Sequence, residues 1–360
     1  MERLPTPLAP AMLPTDGEET GMGEAPEFEA ARLDGFLREA IAGLQGEMAI
    51  ERISGGQSNP TFFVTYANRR LVLRKKPPGE VLPSAHAVDR EARVLRALAG
   101  SEVPVPPVVL FHEGAEVVGT PFYVMDRVEG RVFGTCDLPG ASAGERRAMY
   151  LSFAETLARL HDADWRAAGL EGFGRPGSYF ERQVGRWTKQ WEVQRFRDIP
   201  ELAELAGWVA AHIPPDDGEA GIVHGDYRPG NVMFAPDGPQ VVAVLDWELS
   251  TIGHPLADLA FSTIPWRSTP EEYGGMRGLD LDALGIPGED EYVAHYYACR
   301  RTPAPRLEPF HRAFAMFRFA VIFEGIAVRA RTGTAASADA AKVGELSVAY
   351  ARRGLECVEG

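Results

Sequence analysis

Cysteine is scarce in this sequence, and its scarcity argues against two common kinds of site. The chain of 360 residues contains three cysteines, Cys136, Cys299 and Cys357. They are far apart and odd in number, so they form neither a metal-binding spacing nor the framework of a disulfide-rich domain. We therefore expect a protein of the reducing cytoplasm.

Long apolar runs and excess positive charge are also missing. No apolar segment approaches the ~20 residues of a membrane-spanning helix, and the first residues lack the continuous apolar stretch of a secretory signal. The formal net charge is -14, and an acidic surface repels a phosphate backbone. We therefore expect neither a membrane span nor general nucleic-acid binding.

The local patterns divide the chain into three parts. Residues 1–25 are rich in Pro, Gly, Glu and Thr, which predicts a disordered or loosely attached arm. Residues 26–129 alternate short apolar segments with two amphipathic patterns, and residues 130–360 are mostly helical in pattern. The length allows two lobes. The sequence thus predicts an α+β protein with a small β-rich N-lobe and a larger α-helical C-lobe.

The predicted elements follow from hydrophobic periodicity and turn residues. Strands are expected at 48–53, 61–66, 71–74, 104–110 and 122–125. Helices are expected at 27–42, 87–99, 148–161, 179–191, 201–212, 258–264, 289–301, 310–331 and 340–356. A connector at 126–130 leaves the small lobe.

The most informative stretch begins at His224 and ends at Asp246. It reads HGDYRPGN from His224 to Asn231, and an apolar run then delivers Asp246 at a strand end. Phosphoryl transfer requires a positioned hydroxyl and neutralised phosphate charge. Asp226 is suited to accept the hydroxyl proton, and Asn231 and Asp246 are suited to bind Mg²⁺, which needs few protein ligands. A lone loop Asp is more often a turn residue, but the combined spacing favours the catalytic interpretation.

This pattern resembles the aminoglycoside phosphotransferase and choline kinase branch of the protein-kinase-like fold. Gly225 stands where protein kinases carry Arg, which points to a small-molecule kinase. The closer match is to phosphotransferases related to the N-terminal domains of certain acyl-CoA dehydrogenases. The segments that carry it are 73–79, 83–91, 246–255 and 317–325. The resemblance covers about residues 50 to 330 and implies a bilobal kinase that uses ATP and Mg²⁺.

The resemblance also implies residue roles. Asp226 corresponds to the catalytic base, and Asn231 and Asp246 correspond to the magnesium ligands. Arg228 falls where kinases place a lysine that touches the transferred phosphate. Asp258 falls where the family has an aspartate that braces the catalytic loop.

The nucleotide-binding lysine of kinases corresponds to Arg74, and Glu91 is its expected ion-pair partner. Arg can grip phosphates bidentately. Arg74 and Lys75 point to opposite faces of a strand, and the sequence leaves open which of them contacts the phosphates. An ordinary solvated strand end is the alternative.

Two further segments are expected to bind the nucleotide. The turn at 54–59 would cover the phosphates, with Ser54, Gly55, Gly56, Ser58 and Asn59 as its binding residues. Such a turn alone is a weak signal. The adenine is expected against Met125, Asp126 and Val128.

The acceptor is the least determined part. Helices that carry Arg182, Arg186, Trp187, Arg318 and Glu324 are candidates to line its site, although each could be an ordinary salt-bridged face. The resemblance implies an ATP-dependent kinase of a metabolite hydroxyl, such as a hydroxyacyl-CoA. An aminoglycoside- or choline-like kinase and a nucleotide-binding module with little turnover are the alternatives. ATP versus GTP preference and a monomeric or homodimeric state stay open.

Overall fold

In the computed structural model, the described residues are 26–53, 59–79, 87–332 and 340–359. The predicted arm at 1–25 lies outside them. The N-terminal elements are α1 (Ala30–Ala40), β1 (Ala49–Arg52), β2 (Thr61–Tyr66), β3 (Arg69–Lys75), α2 (Val88–Leu98), β4 (Val108–His112) and β5 (Phe122–Asp126). The five strands form one antiparallel sheet in the order β1-β2-β3-β5-β4.

Strand alternation gives this sheet two different faces. In β2, Phe62, Val64 and Tyr66 are buried against Leu33 and Leu37 of α1. Successive side chains of a strand point to opposite faces, so the other face is left to line a cleft. Register places Arg74 of β3 opposite Tyr123 of β5.

The C-terminal part is mainly helical. Its elements are α3 (Ala143–Asp162), α4 (Tyr179–Gln194), α5 (Pro200–Ala211), β6 (Gly221–Val223), β7 (Val232–Phe234), β8 (Val241–Val244), β9 (Thr251–Gly253), α6 (Leu256–Ser262), α7 (Ile264–Arg267), α8 (Leu281–Leu284), α9 (Glu289–Cys299), α10 (Pro309–Arg331), α11 (Ala340–Gly344) and α12 (Leu346–Glu359). Two small antiparallel pairs, β6 with β9 and β7 with β8, lie among the helices.

The centre of this part is α10. Residues on all its sides are buried, as is typical of a helix inside a large core. It packs against α4, α5, α6 and α12. A Cβ on Gly354 of α12 would lie 2.4 Å from Leu205 of α5, so glycine permits this close approach.

The structure differs from the predicted elements mainly at their ends. The first helix begins at Ala30 rather than residue 27, and α3 begins five residues before the predicted residue 148. The predicted helix at 340–356 is two helices, which meet between Gly344 and Leu346. Gly344 packs against Ala327, where a Cβ would be 2.5 Å from the Ala327 Cβ, and glycine is a weak helix former. In the described part of the chain, no helix is both long and apolar enough to cross a membrane.

Candidate active site

The segment from His224 to Asp246 is folded around two strand pairs. His224 follows β6 directly, a 3-10 turn at Pro229–Asn231 precedes β7, and Asp246 comes two residues after β8. The β7–β8 pair returns the chain, and the Leu245 N–H donates to the Asn231 carbonyl oxygen at 2.8 Å, so the strand end that carries Asp246 lies beside the loop that carries Asp226. Residues that are distant in sequence are therefore brought to one site.

Asp258 holds the first turn of this loop. Its carboxylate accepts hydrogen bonds from the backbone N–H groups of His224, at 2.5 Å, and Gly225, at 2.9 Å. The Asp258 side chain is 1% exposed. Burial raises the pKa of this carboxyl, but the nearby His161 and the backbone donors outweigh it and lower the pKa. The contact is the one that the predicted bracing role requires.

Gly225 is required by the backbone at this turn. Its φ is +86°, and a Cβ would lie 2.7 Å from the Leu249 carbonyl oxygen. An L-residue with a side chain rarely adopts such a conformation. The glycine that distinguishes the sequence from protein kinases is therefore a steric need of this loop.

His224 joins the loop to the strand end. Its Nε2 lies 2.7 Å from the Leu245 carbonyl oxygen, and its Nδ1 accepts from the Asp226 N–H at 3.2 Å. Nε2 must then carry the proton. The side chain is fully buried, so it fixes the spacing between Asp226 and Asp246. Sequence reasoning assigned no role to His224, although its place at the head of the motif was a signal.

The Asp226 carboxylate is oriented by two neighbours. Its Oδ2 accepts from Asn231 Nδ2 at 2.7 Å and from Arg228 Nε at 3.3 Å. Asn231 Nδ2 also donates to the Asp226 carbonyl oxygen at 2.9 Å. Burial disfavours the charge of Arg228, but Asp226 and other neighbours outweigh it and raise the pKa of the guanidinium. The two predicted catalytic residues and one predicted metal ligand are thus in direct contact.

Asn231 and Asp246 offer oxygen atoms that suit Mg²⁺. The Asn231 amide nitrogen is engaged by Asp226, which leaves the amide oxygen for a cation. Asp246 has φ 59° and ψ 64°, a left-handed conformation that is uncommon for a residue with a side chain and clusters at functional sites. Among the described residues, no cluster of three or more His, Cys, Asp or Glu is arranged for a metal. One amide oxygen and one carboxylate nevertheless suit Mg²⁺, because this ion is commonly bound through one or two protein oxygens together with waters and phosphates.

Arg74 joins the sheet to this strand end. Its Nη2 lies 2.6 Å from Asp246 Oδ1, and its Nε lies 2.8 Å from Glu91 Oε2. Glu248 Oε2 is 3.6 Å from Nη2. Burial opposes the charge of Arg74, but Glu91 and Asp246 raise its pKa well above the ordinary value. The predicted ion pair between Arg74 and Glu91 is present, and it includes Asp246 as well.

Glu91 is itself fully enclosed. It is 1% exposed and accepts from Asn59 Nδ2 at 2.6 Å and from the Tyr123 hydroxyl at 3.0 Å. Burial raises the pKa of the Glu91 carboxyl, and Arg74 opposes that rise. Asn59, which was predicted to help bind the phosphates, donates from its side-chain amide to Glu91. Ser54, Gly55, Gly56 and Ser58, which were predicted to bind there too, lie outside the described residues.

Arg74 and Lys75 lie on opposite faces of β3. Arg74 lines the cleft together with Val72. Lys75 points to the other face, where its Nζ lies 5.3 Å from the centre of the Phe28 ring. Burial lowers the pKa of Lys75. Only Arg74 therefore faces the site.

The cleft between the sheet and the C-terminal part has a volume of about 300 Å³. Arg74 and Asp246 lie on its wall, and so do the predicted adenine-contacting residues Met125, Asp126 and Val128. The Asp126 carboxylate is held by Arg69 at 3.0 Å, and its backbone N–H donates to the Pro107 carbonyl oxygen at 2.9 Å. The cleft combines an apolar wall with a charged end, as ligand pockets commonly do.

Two arginines flank the catalytic loop on its other side. Arg318 Nη2 donates to the Gly225 carbonyl oxygen at 2.8 Å, and its guanidinium lies 5.5 Å from the centre of the Trp187 ring. Arg186 lies 5.5 Å from the centre of the same ring. Neither arginine forms a salt bridge with any described residue. The Arg318 Nε and the Trp187 Nε1 are buried donors without an acceptor in the described part of the chain.

The other two acceptor candidates are used elsewhere. Glu324 is 1% exposed and lies 2.8 Å from Arg197, so it is a buried, neutralised group and does not line an acceptor site. Arg182 donates to the backbone carbonyls of Gly177 and Arg175. The sequence could not anticipate the pairing of Glu324 with Arg197, because these residues are 127 positions apart.

Comparisons with known proteins bear on this geometry. The sequence profile described as the phosphotransferase enzyme family matches residues 49–314. Acyl-CoA dehydrogenase family member 10 of Mus musculus is 41% identical over 311 residues, which cover 85% of this chain and 29% of that protein. Acyl-CoA dehydrogenase family member 11 of Gallus gallus is 40% identical over 340 residues, which cover 91% and 43%. This chain therefore spans less than half the length of these relatives.

Solved structures agree on the fold. A candidate aminoglycoside phosphotransferase of Ralstonia eutropha has a TM-score of 0.84 and 40% identity, with 92% of this chain and 99% of that chain covered. The aminoglycoside phosphotransferase APH(4)-Ia, solved with AMP-PNP and hygromycin B, has a TM-score of 0.59 and 19% identity, with 90% and 99% covered. The predicted protein-kinase-like fold is confirmed, and so is the resemblance to the aminoglycoside phosphotransferases.

Proposed function

We propose that this chain, which belongs to the phosphotransferase enzyme family, uses Mg-ATP to phosphorylate an anionic metabolite. Members of this family transfer a phosphoryl group to a hydroxyl acceptor. A hydroxyacyl-CoA is the first candidate for the acceptor. The observation that carries the proposal is that Asn231 contacts Asp226 directly at 2.7 Å, while the Leu245 N–H, next to Asp246, donates to the Asn231 carbonyl oxygen at 2.8 Å. Asp246 itself lines the charged end of the 300 Å³ cleft. A cytoplasmic location, a monomeric or homodimeric state and lobes at 26–129 and 130–360 are part of the same proposal.

In the proposed reaction, Asp226 receives the proton of the acceptor hydroxyl while the hydroxyl oxygen bonds to the γ-phosphorus. ADP leaves with the electrons of the broken bond. Asn231 and Arg228 hold the Asp226 carboxylate through Oδ2, so the base is oriented before the acceptor arrives. Such preorganisation lowers the barrier because no rearrangement is needed during the reaction.

The charged end of the cleft suits a phosphate chain. Asn231 and Asp246 would hold Mg²⁺, which when bound neutralises phosphate charge. Arg74 is suited to contact the phosphates because it lies 2.6 Å from Asp246 and Glu91 fixes its orientation. The backbone at 126–128 would contact the adenine. ATP as the donor is supported by the AMP-PNP bound to APH(4)-Ia, a protein of the same fold.

The charge beside the catalytic loop supports an anionic acceptor. Arg186 and Arg318 lack carboxylate partners among the described residues, and Arg318 contacts the Gly225 carbonyl, one residue from the base. A cationic aminoglycoside would meet repulsion there, whereas a carboxylate or phosphate would pair with these groups. The names of the acyl-CoA dehydrogenase relatives favour an acyl-CoA within this class.

The experiment is ADP formation measured with purified protein, ATP and Mg²⁺ against a panel of acceptors. The panel contains hydroxyacyl-CoA thioesters, hygromycin B and choline. We expect turnover with the thioesters and its loss on chelation of Mg²⁺. Turnover only with hygromycin B or choline would instead favour a drug- or choline-type kinase, and ATP binding without turnover would favour a nucleotide-binding module.

The base assignment is tested by Asp226→Asn. General base catalysis contributes about 10²–10⁴-fold, so we expect kcat to fall by about that factor while the Kd of the nucleotide changes little. Asp237→Asn is the matched control, because Asp237 is exposed in the turn between β7 and β8. If Asp226→Asn retains the kcat of the unchanged protein, Asp226 is not the base.

A further inference from the structure

A second, smaller pocket lies beside the catalytic loop. Its volume is about 50 Å³, and Arg228, Pro229 and Gly230 form one of its walls. The remaining walls are mostly apolar and come from four separate segments. They include Cys136, Phe261, Ile264, Tyr273, Phe319 and Tyr350.

Three hydroxyl groups of these walls are already bonded within the protein. Ser262 donates to the Leu259 carbonyl, and Ser268 donates to the Ile264 carbonyl. The Tyr350 hydroxyl donates to the Glu272 carbonyl. Consequently these groups contribute little to recognition, and the surface that a ligand would meet is chiefly carbon.

The pocket is close to the reacting groups. Arg228, on its wall, lies 3.3 Å from Asp226 Oδ2. Tyr273, on another wall, has its pKa raised by burial, and both Arg228 and Asp226 are near enough to influence it. An acceptor whose hydroxyl meets Asp226 could therefore extend its next few atoms into the pocket.

We propose that this acyl pocket, bounded by Arg228, Cys136, Phe261, Tyr273 and Phe319, binds the short hydrocarbon segment next to the hydroxyl that is phosphorylated. The proposal rests on the proposed function and names the part of the acceptor that the site selects. A polyol or aminoglycoside carries polar groups on nearly every carbon, and these would lose water without gaining partners in such a pocket.

The size of the pocket limits the segment. One water-sized group needs about 10–15 Å³ of such space, so about 50 Å³ holds roughly three to five groups. In this proposal the chain ends against Phe319 and Tyr350, two wall residues whose rings stack with centres 5.3 Å apart. We expect the pocket to accept about four carbons beyond the hydroxyl and to exclude longer straight chains.

The test is a series of 3-hydroxyacyl-CoA thioesters with one to nine carbons beyond the hydroxyl. Each buried methylene contributes about 0.8 kcal/mol, which is about fourfold in kcat/KM. We expect kcat/KM to rise about fourfold per carbon up to about four carbons, and then to level off or fall. A value that is independent of chain length would overturn the proposal.

Two variants should move the optimum in opposite directions. Cys136→Leu adds volume inside the pocket and should shorten the preferred chain by one or two carbons. Phe319→Leu removes part of the far wall and should lengthen it. Cys299→Leu, the same change at a half-buried cysteine outside the pocket, is the matched control. Variants that stay folded by thermal melting but keep the original length profile would show that this pocket does not bind the chain.

Failure of the pocket is distinguishable from failure of the proposed function. Binding of the same thioesters is measured by calorimetry with ADP present and without turnover. Length-dependent binding without ADP formation would retain the pocket and reject the kinase assignment. ADP formation with a flat length profile, or no binding of any thioester, would reject the pocket.

Discussion

The Arg74 guanidinium lies among three carboxylates at the end of the cleft, and replacing Arg74 should destabilise the protein in a pH-dependent way. The informative change is Arg74→Met, which keeps the length of the side chain and removes its charge. Glu91, at 2.8 Å, and Asp246, at 2.6 Å, would both lose their partner. Glu248, at 3.6 Å, would lose a weaker one.

The expected loss follows from the burial of Glu91. Its side chain is 1% exposed, whereas that of Asp246 is 24% exposed and can be hydrated. Removing one member of a buried ion pair costs about 3–5 kcal/mol, because the other charge stays buried. Most of that cost should come from Glu91. At about 2 °C per kcal/mol for a large domain, Tm should fall by roughly 6–10 °C.

The pH dependence gives the sign of the effect. Burial raises the pKa of Glu91 and Arg74 opposes the rise, so the pKa should rise further in Arg74→Met. The folded variant then holds a proton that the unfolded chain releases, and its stability increases as pH falls through that pKa. The stability deficit relative to the unchanged protein should therefore shrink from pH 8 towards pH 5.

Urea unfolding at several pH values measures this deficit. Arg70→Met is the matched control on the same strand, because its pair with Glu129 is more than half exposed and such pairs contribute about 0–1 kcal/mol. Adding Glu91→Gln to Arg74→Met should restore much of the lost stability at pH 8. A deficit that stays constant with pH, or that Glu91→Gln leaves unchanged, would refute the argument.

Two further predictions concern the catalytic loop and the buried pair of α10. Asp258→Asn should lower kcat about 10- to 100-fold at nearly constant nucleotide Kd, because a hydrogen bond to a charged group contributes about 1.5–3 kcal/mol. Asp258 holds the turn that places Asp226, so an unchanged kcat would exclude the bracing role. Arg197→Met should lower the free energy of unfolding by about 3 kcal/mol or more, since it leaves Glu324 buried without its partner at 2.8 Å. The kcat of the folded variant should not change, and a kinetic defect at full stability would contradict this prediction.

Local patterns sufficed for most elements. The strands β2 and β3 and the helices α2 and α4 lie where alternation or helical periodicity predicted them. The clearest failure among the helices is the break between Gly344 and Leu346, where the sequence pattern continues. Packing of Gly344 against Ala327 belongs to the tertiary structure, so periodicity could not reveal it.

The site was predictable where its residues are close in sequence. Asp226, Arg228 and Asn231 lie within six positions, and their contacts are almost set by the loop itself. Contacts over long sequence separations were not predictable in this way. The Asn59 amide donates to Glu91, 32 positions away, because the folded chain buries that carboxylate beside it.

The sequence by itself therefore determines most of the proposed chemistry, since the motif from His224 to Asp246 carries the proposed base and the proposed metal-binding oxygens within one short stretch. Which charges are neutralised depends on folding, because Arg197 meets Glu324 and Arg74 meets Asp246 only across long sequence separations. The same holds for the acyl pocket, whose walls come from segments far apart in the chain. Side-chain pairing and pocket shape depend on tertiary packing, which is formed only when the other helices pack against α10.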